Sequence, residues 1–168
     1  GTATSYFSLV DLLTRYFDIQ RQDDEHRVRE KVIEKLSVSL KDNLLAQTPF
    51  YLGALGVAVN NDAWLNLPPV ERQSKMFAAV KDLLIRESLR QPLCLVFEDL
   101  HWVDAESLAF LEILRESSND ATILLLVNYR ADHQSKPLTN ITELRIDPLS
   151  AASAGELLDQ LIGARAEL

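Results

Sequence analysis

Pro92-Leu93-Cys94-Leu95-Val96-Phe97-Glu98-Asp99-Leu100-His101-Trp102-Val103-Asp104 organises the chain around it. A proline disfavours helix before it, and five apolar residues in a row are too few for a buried helix. Leu93 to Phe97 is therefore predicted to be a strand covered on both faces, with Cys94 a small buried hydrophobe. Two acids end it. Asp104 is placed to cap a helix running to about Ser117, the Ser118-Asn119-Asp120 cluster turns the chain, and Ile123-Leu124-Leu125-Leu126-Val127 repeats the buried-strand pattern. Strand, helix and strand without polar alternation predict a parallel pair.

Upstream, Leu9, Leu12, Leu13 and Tyr16 recur at helical spacing, and after the polar Gln20 to Glu25 a second helix carries Val28, Val32, Leu36 and Leu40 at steps of four. Pro49 to Pro69 holds prolines, glycines and the Asn60-Asn61-Asp62 turn signal, which predict short helical pieces joined by loops. Pro69 suits the first turn of a long helix to about Arg90, with Met76, Phe77, Val80, Leu83 and Leu84 as its apolar stripe. Downstream, Ile141 to Ile146 alternates apolar with polar and predicts a third strand nearer an edge. Ser153 to Glu156 has capping-box spacing for a last helix ending near Gly163.

Composition bounds the function. The 168 residues are 47% hydrophobic and 25% charged, enough to bury a core, and a formal net charge of -8 argues against nucleic acid or an anionic membrane as the main partner. One cysteine excludes a disulfide framework and points to a reducing, cytoplasmic setting. No apolar run reaches the length of a membrane span, and the start carries neither signal-peptide blocks nor Met, as expected of a piece of a longer protein.

Parallel sheets bind ligands beyond the carboxyl ends of their strands. Here those ends carry Glu98-Asp99 and Asn128-Tyr129-Arg130. Adjacent acids suit phosphate transfer: one holds Mg²⁺ directly or through water, the other orients or deprotonates the attacking water, and Arg130 can meet charge gathering on a γ-phosphate. The simpler account is that strand-end acids face solvent and start the next helix, which for Asp104 means a cap; His101 and Trp102 are expected to pack. Grouping Glu98, Asp99, His101 and Asp104 around zinc or manganese is a further alternative, although zinc usually takes more His or Cys. No Gly-x-Ser-x-Gly elbow occurs, and none of the six lysines follows a glycine as the Gly-x-x-x-x-Gly-Lys-Ser/Thr loop requires.

The run from Pro92 to Asp104 resembles the Walker B segment of the signal-transduction ATPases with numerous domains. More narrowly, it resembles the AAA-type module of large bacterial regulators with a nucleotide cyclase or helix-turn-helix output and tetratricopeptide repeats. Leu125 to Arg130 is similar to the sensor 1 strand of that group, Leu144 to Leu149 to the strand before its helical lid, and Gly1 to Tyr6 to the segment after its second strand. The resemblance implies a three-layer α/β fold, a P-loop NTPase-like parallel sheet flanked by helices, incomplete because the Walker A strand is absent. Residues 1–91 would be the helical region after strand 2, 92–149 the Walker B, sensor 1 and last strands, and 150–168 the start of the lid.

The resemblance also implies ATP and Mg²⁺ as cofactors. Glu98 would hold the metal where many members have Asp, Asp99 would polarise the hydrolytic water, and Arg130, with Asn128 as a weaker candidate, would sense the γ-phosphate. The activity implied is that of an ATPase switch working only within a full-length parent, whose sensor and output domains would be its partners. A chain without the P-loop forfeits most phosphate affinity. With the P-loop strand missing from the sheet, it is also expected to be marginally stable, to rearrange, or to associate, as a homo-oligomer, through an open edge. The alternative from another class is a non-catalytic interaction module.

Overall fold

The computed structural model describes residues 6–39, 45–117, 121–130 and 138–162. The opening segment 1–5, Leu40, the 118–120 turn, His133 and the end near Gly163 lie outside the described residues. In chain order the helices are α1 Phe7–Tyr16, α2 Glu25–Ser39, α3 Thr48–Ala54, α4 Asp62–Leu65, α5 Pro69–Arg90, α6 Ala105–Ser117 and α7 Ala151–Ile162. The strands are β1 Leu93–Phe97 and β2 Ile123–Val127, and short 3₁₀ turns span Leu45–Gln47 and Leu100–Trp102. The chain divides into two units, Gly1–Leu138 and Thr139–Leu168.

In the first unit, helix boundaries follow the local chemistry. Pro69 opens α5 at a position where no amide hydrogen is needed, and the helix stops at Arg90 before Pro92. Asp24 caps α2 by accepting the Arg27 N–H at 2.8 Å, and Asn61 caps α4 by accepting the Trp64 N–H at 3.2 Å. The apolar stripes of α1, α2, α3, α5 and α6 meet in one core that includes Leu13, Val32, Leu36, Tyr51, Leu83 and Phe110.

Gly53 of α3 lies under the indole of Trp64, and a Cβ added there would overlap the Trp64 ring. Trp64 is itself held between Phe50, at 6.1 Å between ring centroids, and the Arg72 guanidinium, 5.4 Å from the ring. Alanine is worth about 1 kcal/mol over glycine in a helix interior, but forcing the indole aside costs about 1–3 kcal/mol. Gly53→Ala is therefore expected to destabilise the protein in urea denaturation; a stabilised variant would show that Trp64 repacks freely.

β1 and β2 are parallel, with Leu93 opposite Ile123 and Phe97 opposite Val127. Among the described residues they form a two-stranded sheet. Leu93, Leu95 and Ile123 pack against the core and Phe97 is buried. The other face is open: Val96, Leu124 and Leu126 are 60%, 57% and 48% exposed, and Cys94 is exposed. The expectation of strands covered on both faces, with Cys94 buried, is thus corrected. Helices cover one side of this sheet, and among the described residues of the unit nothing covers the other.

In the second unit, residues 141–150 have no regular structure, and Leu144 and Ile146 are 85% and 87% exposed. The predicted third strand is not formed. Alternation supplies a face to bury, but a strand also needs a neighbouring strand to pair with, and among the described residues β1 and β2 pair only with each other. The capping box is also displaced: Ser150 Oγ accepts the Ser153 N–H at 3.1 Å, so α7 starts at Ala151 and Ser153 lies within it.

Candidate functional site at the strand ends

The rim of the sheet is built by one asparagine. Asn128 donates its N–H to the Phe97 carbonyl at 3.1 Å, accepts the Leu100 N–H on its own carbonyl at 2.9 Å, and accepts the Asp99 N–H on Oδ1 at 2.7 Å. Glu98 and Asp99 are thereby held at the end of β1 against the end of β2. Asp99 takes a left-handed conformation, φ 54° and ψ 47°, which Asp tolerates better than most residues. It turns the chain into the Leu100–Trp102 turn, anchored by buried Leu100.

Both acids are exposed, and among the described residues neither carboxylate has a hydrogen-bond partner. They line a cleft of about 390 Å³ together with Phe7, Ser8, Trp102, Val103 and Asp104. Arg130, also exposed, lies two residues beyond Asn128 at the same end of the sheet but does not line this cleft. The structure thus brings Glu98, Asp99 and Asn128 together, with Asn128 Oδ1 committed to the backbone. The guanidinium stands outside the cleft.

Asp104 plays a different part. Its Oδ1 accepts the N–H groups of Ser107 at 2.9 Å and Tyr6 at 3.0 Å, while Oδ2 accepts the Ser107 hydroxyl at 2.8 Å and the Phe7 N–H at 3.1 Å. One carboxylate thus caps α6 and the start of α1. Burial opposes its ionisation, but the hydrogen bonds from Ser107, Tyr6 and Phe7 outweigh it and hold the carboxyl below the usual aspartate range. The expected cap is present, and its oxygens are occupied by four donors, which removes Asp104 from any metal-ligand set. Among the described residues no group of three or more His, Cys, Asp or Glu could hold a metal ion.

Trp102 is 80% exposed, contrary to the expected packing, and His101 lies beside it with ring centroids 5.2 Å apart. Phe7 and Ser8 reach the rim from about 90 residues upstream in the chain, a neighbour that no local pattern signals.

Two exposed carboxylates are hard oxygen donors suited to a hydrated Mg²⁺. A triphosphate is a poor fit for these residues alone. The amides of Tyr6, Phe7, Asp99 and Leu100 at the rim are already donated within the protein, so these four offer no cradle for phosphate. No helix among the described residues is long and apolar enough to cross a membrane. Comparison with known protein families, characterised proteins and solved structures finds no match to this chain.

Proposed function

We propose that this chain is most of the core of an ATP-dependent regulatory switch of the P-loop NTPase class, with the phosphate-binding loop supplied by a segment outside it. In this proposal Glu98 holds Mg²⁺, directly or through water, and Asp99 orients the attacking water. Arg130 meets charge on the γ-phosphate, and Asn128 sets the rim and offers its Nδ2 as a weaker contact. The observation that carries the proposal is the left-handed Asp99, clamped through its own amide to Asn128 so that two carboxylates without partners among the described residues stand at the end of β1, beside the end of β2. Sparsely populated backbone held by its surroundings is characteristic of functional sites. The open edges of the two-stranded sheet support an incomplete P-loop-type sheet.

The test joins the chain to its upstream sequence and measures ATP binding and turnover. The 168-residue chain is expected to bind no ATP and the extended protein to bind it. Asp99→Asn should keep binding while turnover falls at least about tenfold, within the range that general acid–base groups contribute. An extended protein that ignores ATP overturns the proposal. A second function, that of a non-catalytic interaction module, is favoured by the uncovered apolar face of Val96, Leu124 and Leu126; it predicts that Glu98→Gln and Asp99→Asn leave every measurable function intact.

A further inference from the structure

Neighbouring residues of a regular strand point to opposite faces, yet Glu98 and Asp99 line one cleft. The hydrogen bonds between the strands give the reason. At the start of the ladder the Thr122 carbonyl accepts the Leu93 N–H, 29 positions earlier in the chain, and the same offset at the other end would give the Asn128 carbonyl the N–H of Asp99. It accepts the Leu100 N–H instead, while the Asn128 N–H keeps its regular place on the Phe97 carbonyl. Glu98 and Asp99 thus stand between Phe97 and Leu100 where a regular strand has one residue, which is a β-bulge opposite Asn128.

The bulge decides which side chain is buried. Leu93 and Leu95 pack against the core and Phe97 is buried, so strict alternation would turn Asp99 inward next. Leu100 takes that inward place, 4% exposed, and Asp99 is put outside with Glu98. Two local penalties accompany the bulge: the Asp99 N–H loses its place in the ladder, and Asp99 becomes left-handed. Asn128 supplies the missing acceptor, since its Oδ1 takes the Asp99 N–H at 2.7 Å. Buried Leu100 fixes where the bulge ends but not the conformation inside it. Left-handed backbone is sparsely populated and persists where its surroundings hold it.

We infer that Asn128 is a positioning residue: through Oδ1 it holds the bulge that brings the Glu98 and Asp99 carboxylates to one side of the chain as a joint pair of oxygen donors. Its action is on the backbone of Asp99 and is separate from any contact that Nδ2 makes with a ligand. The consequence for metal binding rests on the nucleotide reading above; the consequence for the conformation of Asp99 does not.

The test compares the whole wild-type chain with Asn128→Asp, which keeps an acceptor oxygen, and Asn128→Ala, which has none. A strong NOE between a residue's own amide and α protons marks left-handed backbone. Wild type and Asn128→Asp should show it at Asp99. Asn128→Ala should lose it, and its Asp99 amide should exchange at least about tenfold faster relative to those of Leu95 and Leu100. Titration with Mn²⁺ then shows whether Asn128 acts through Asp99. Asn128→Ala should weaken binding about tenfold, as loss of a group that orients a ligand does. Asp99→Asn should weaken binding in the wild type but hardly at all in the Asn128→Ala background. A left-handed Asp99 in Asn128→Ala, or two substitutions whose effects simply add, would overturn the inference. Should the wild type bind no Mn²⁺ while Asn128→Ala still releases Asp99, the positioning role stands and the metal-dependent reading fails.

Discussion

Tyr51→Ala is expected to lower stability by about 4 kcal/mol, within the range of about 3–5 kcal/mol for truncating a large buried aromatic. Tyr51 has no exposed surface and is the largest fully buried side chain among the described residues. Its ring meets Phe17 at 5.8 Å between centroids, and its hydroxyl donates to the Ala79 carbonyl at 2.9 Å, with Gln47 Oε1 3.0 Å away. Truncation thus opens a cavity where α1, α3 and α5 meet. Since small domains are stable by only about 5–15 kcal/mol, this loss removes a large share of the folding free energy.

Tyr51→Phe separates the two contributions and should cost about 1 kcal/mol, the usual net value of one buried hydrogen bond. Burial pushes the Tyr51 hydroxyl pKa up, aided by Asp82 and Tyr16. For a group whose pKa is raised on folding, the stabilisation is complete below the unfolded value of about 10 and is lost as pH rises through the folded value. The advantage of the wild type over the Tyr51→Phe variant should therefore shrink in alkali. Urea midpoints of the three proteins measure these effects, and a loss below about 2 kcal/mol for Tyr51→Ala would mean that the core collapses around the gap.

Asp104→Ala is expected to cost about 2–3 kcal/mol, since each helix cap is worth about 1 kcal/mol and the orphaned amides of Tyr6 and Ser107 are partly buried. Asp104→Asn keeps one acceptor oxygen and should cost about half as much. The folded carboxyl pKa is lowered, so its contribution is present above the unfolded value of about 3.9 and is lost as pH falls through the folded value. The gap between wild type and Asp104→Asn should therefore be widest near neutrality and close in acid. Hydrogen exchange at Phe7 and Ser107 should rise together in either variant; a rise at Ser107 alone would show that Asp104 caps α6 only.

Sequence patterning served well wherever a single element carried its own signals. α5 occupies Pro69–Arg90 because a proline opens it and another follows it, and α6 begins at Ala105 because Asp104 reaches the Ser107 amide. The acid pair at the end of β1 and Asn128 at the end of β2 were legible because parallel strands bring their carboxyl ends to one side. Patterning misjudged burial. An apolar pentapeptide reads the same whether one face or two are covered, and Val96, Leu124 and Leu126 are exposed because covering layers are not encoded within the strand.

Local residue order therefore accounts for α5, for the caps of α2, α4 and α6 and for the carboxylates at the end of β1, since each depends on contacts within a few positions. The missing strand at 141–146, the uncovered sheet face, and the bond from Asp104 to amides 97 and 98 positions away were settled by packing. Pairing of strand edges and closure over apolar faces depend on which distant segments are at hand, and no local periodicity records that.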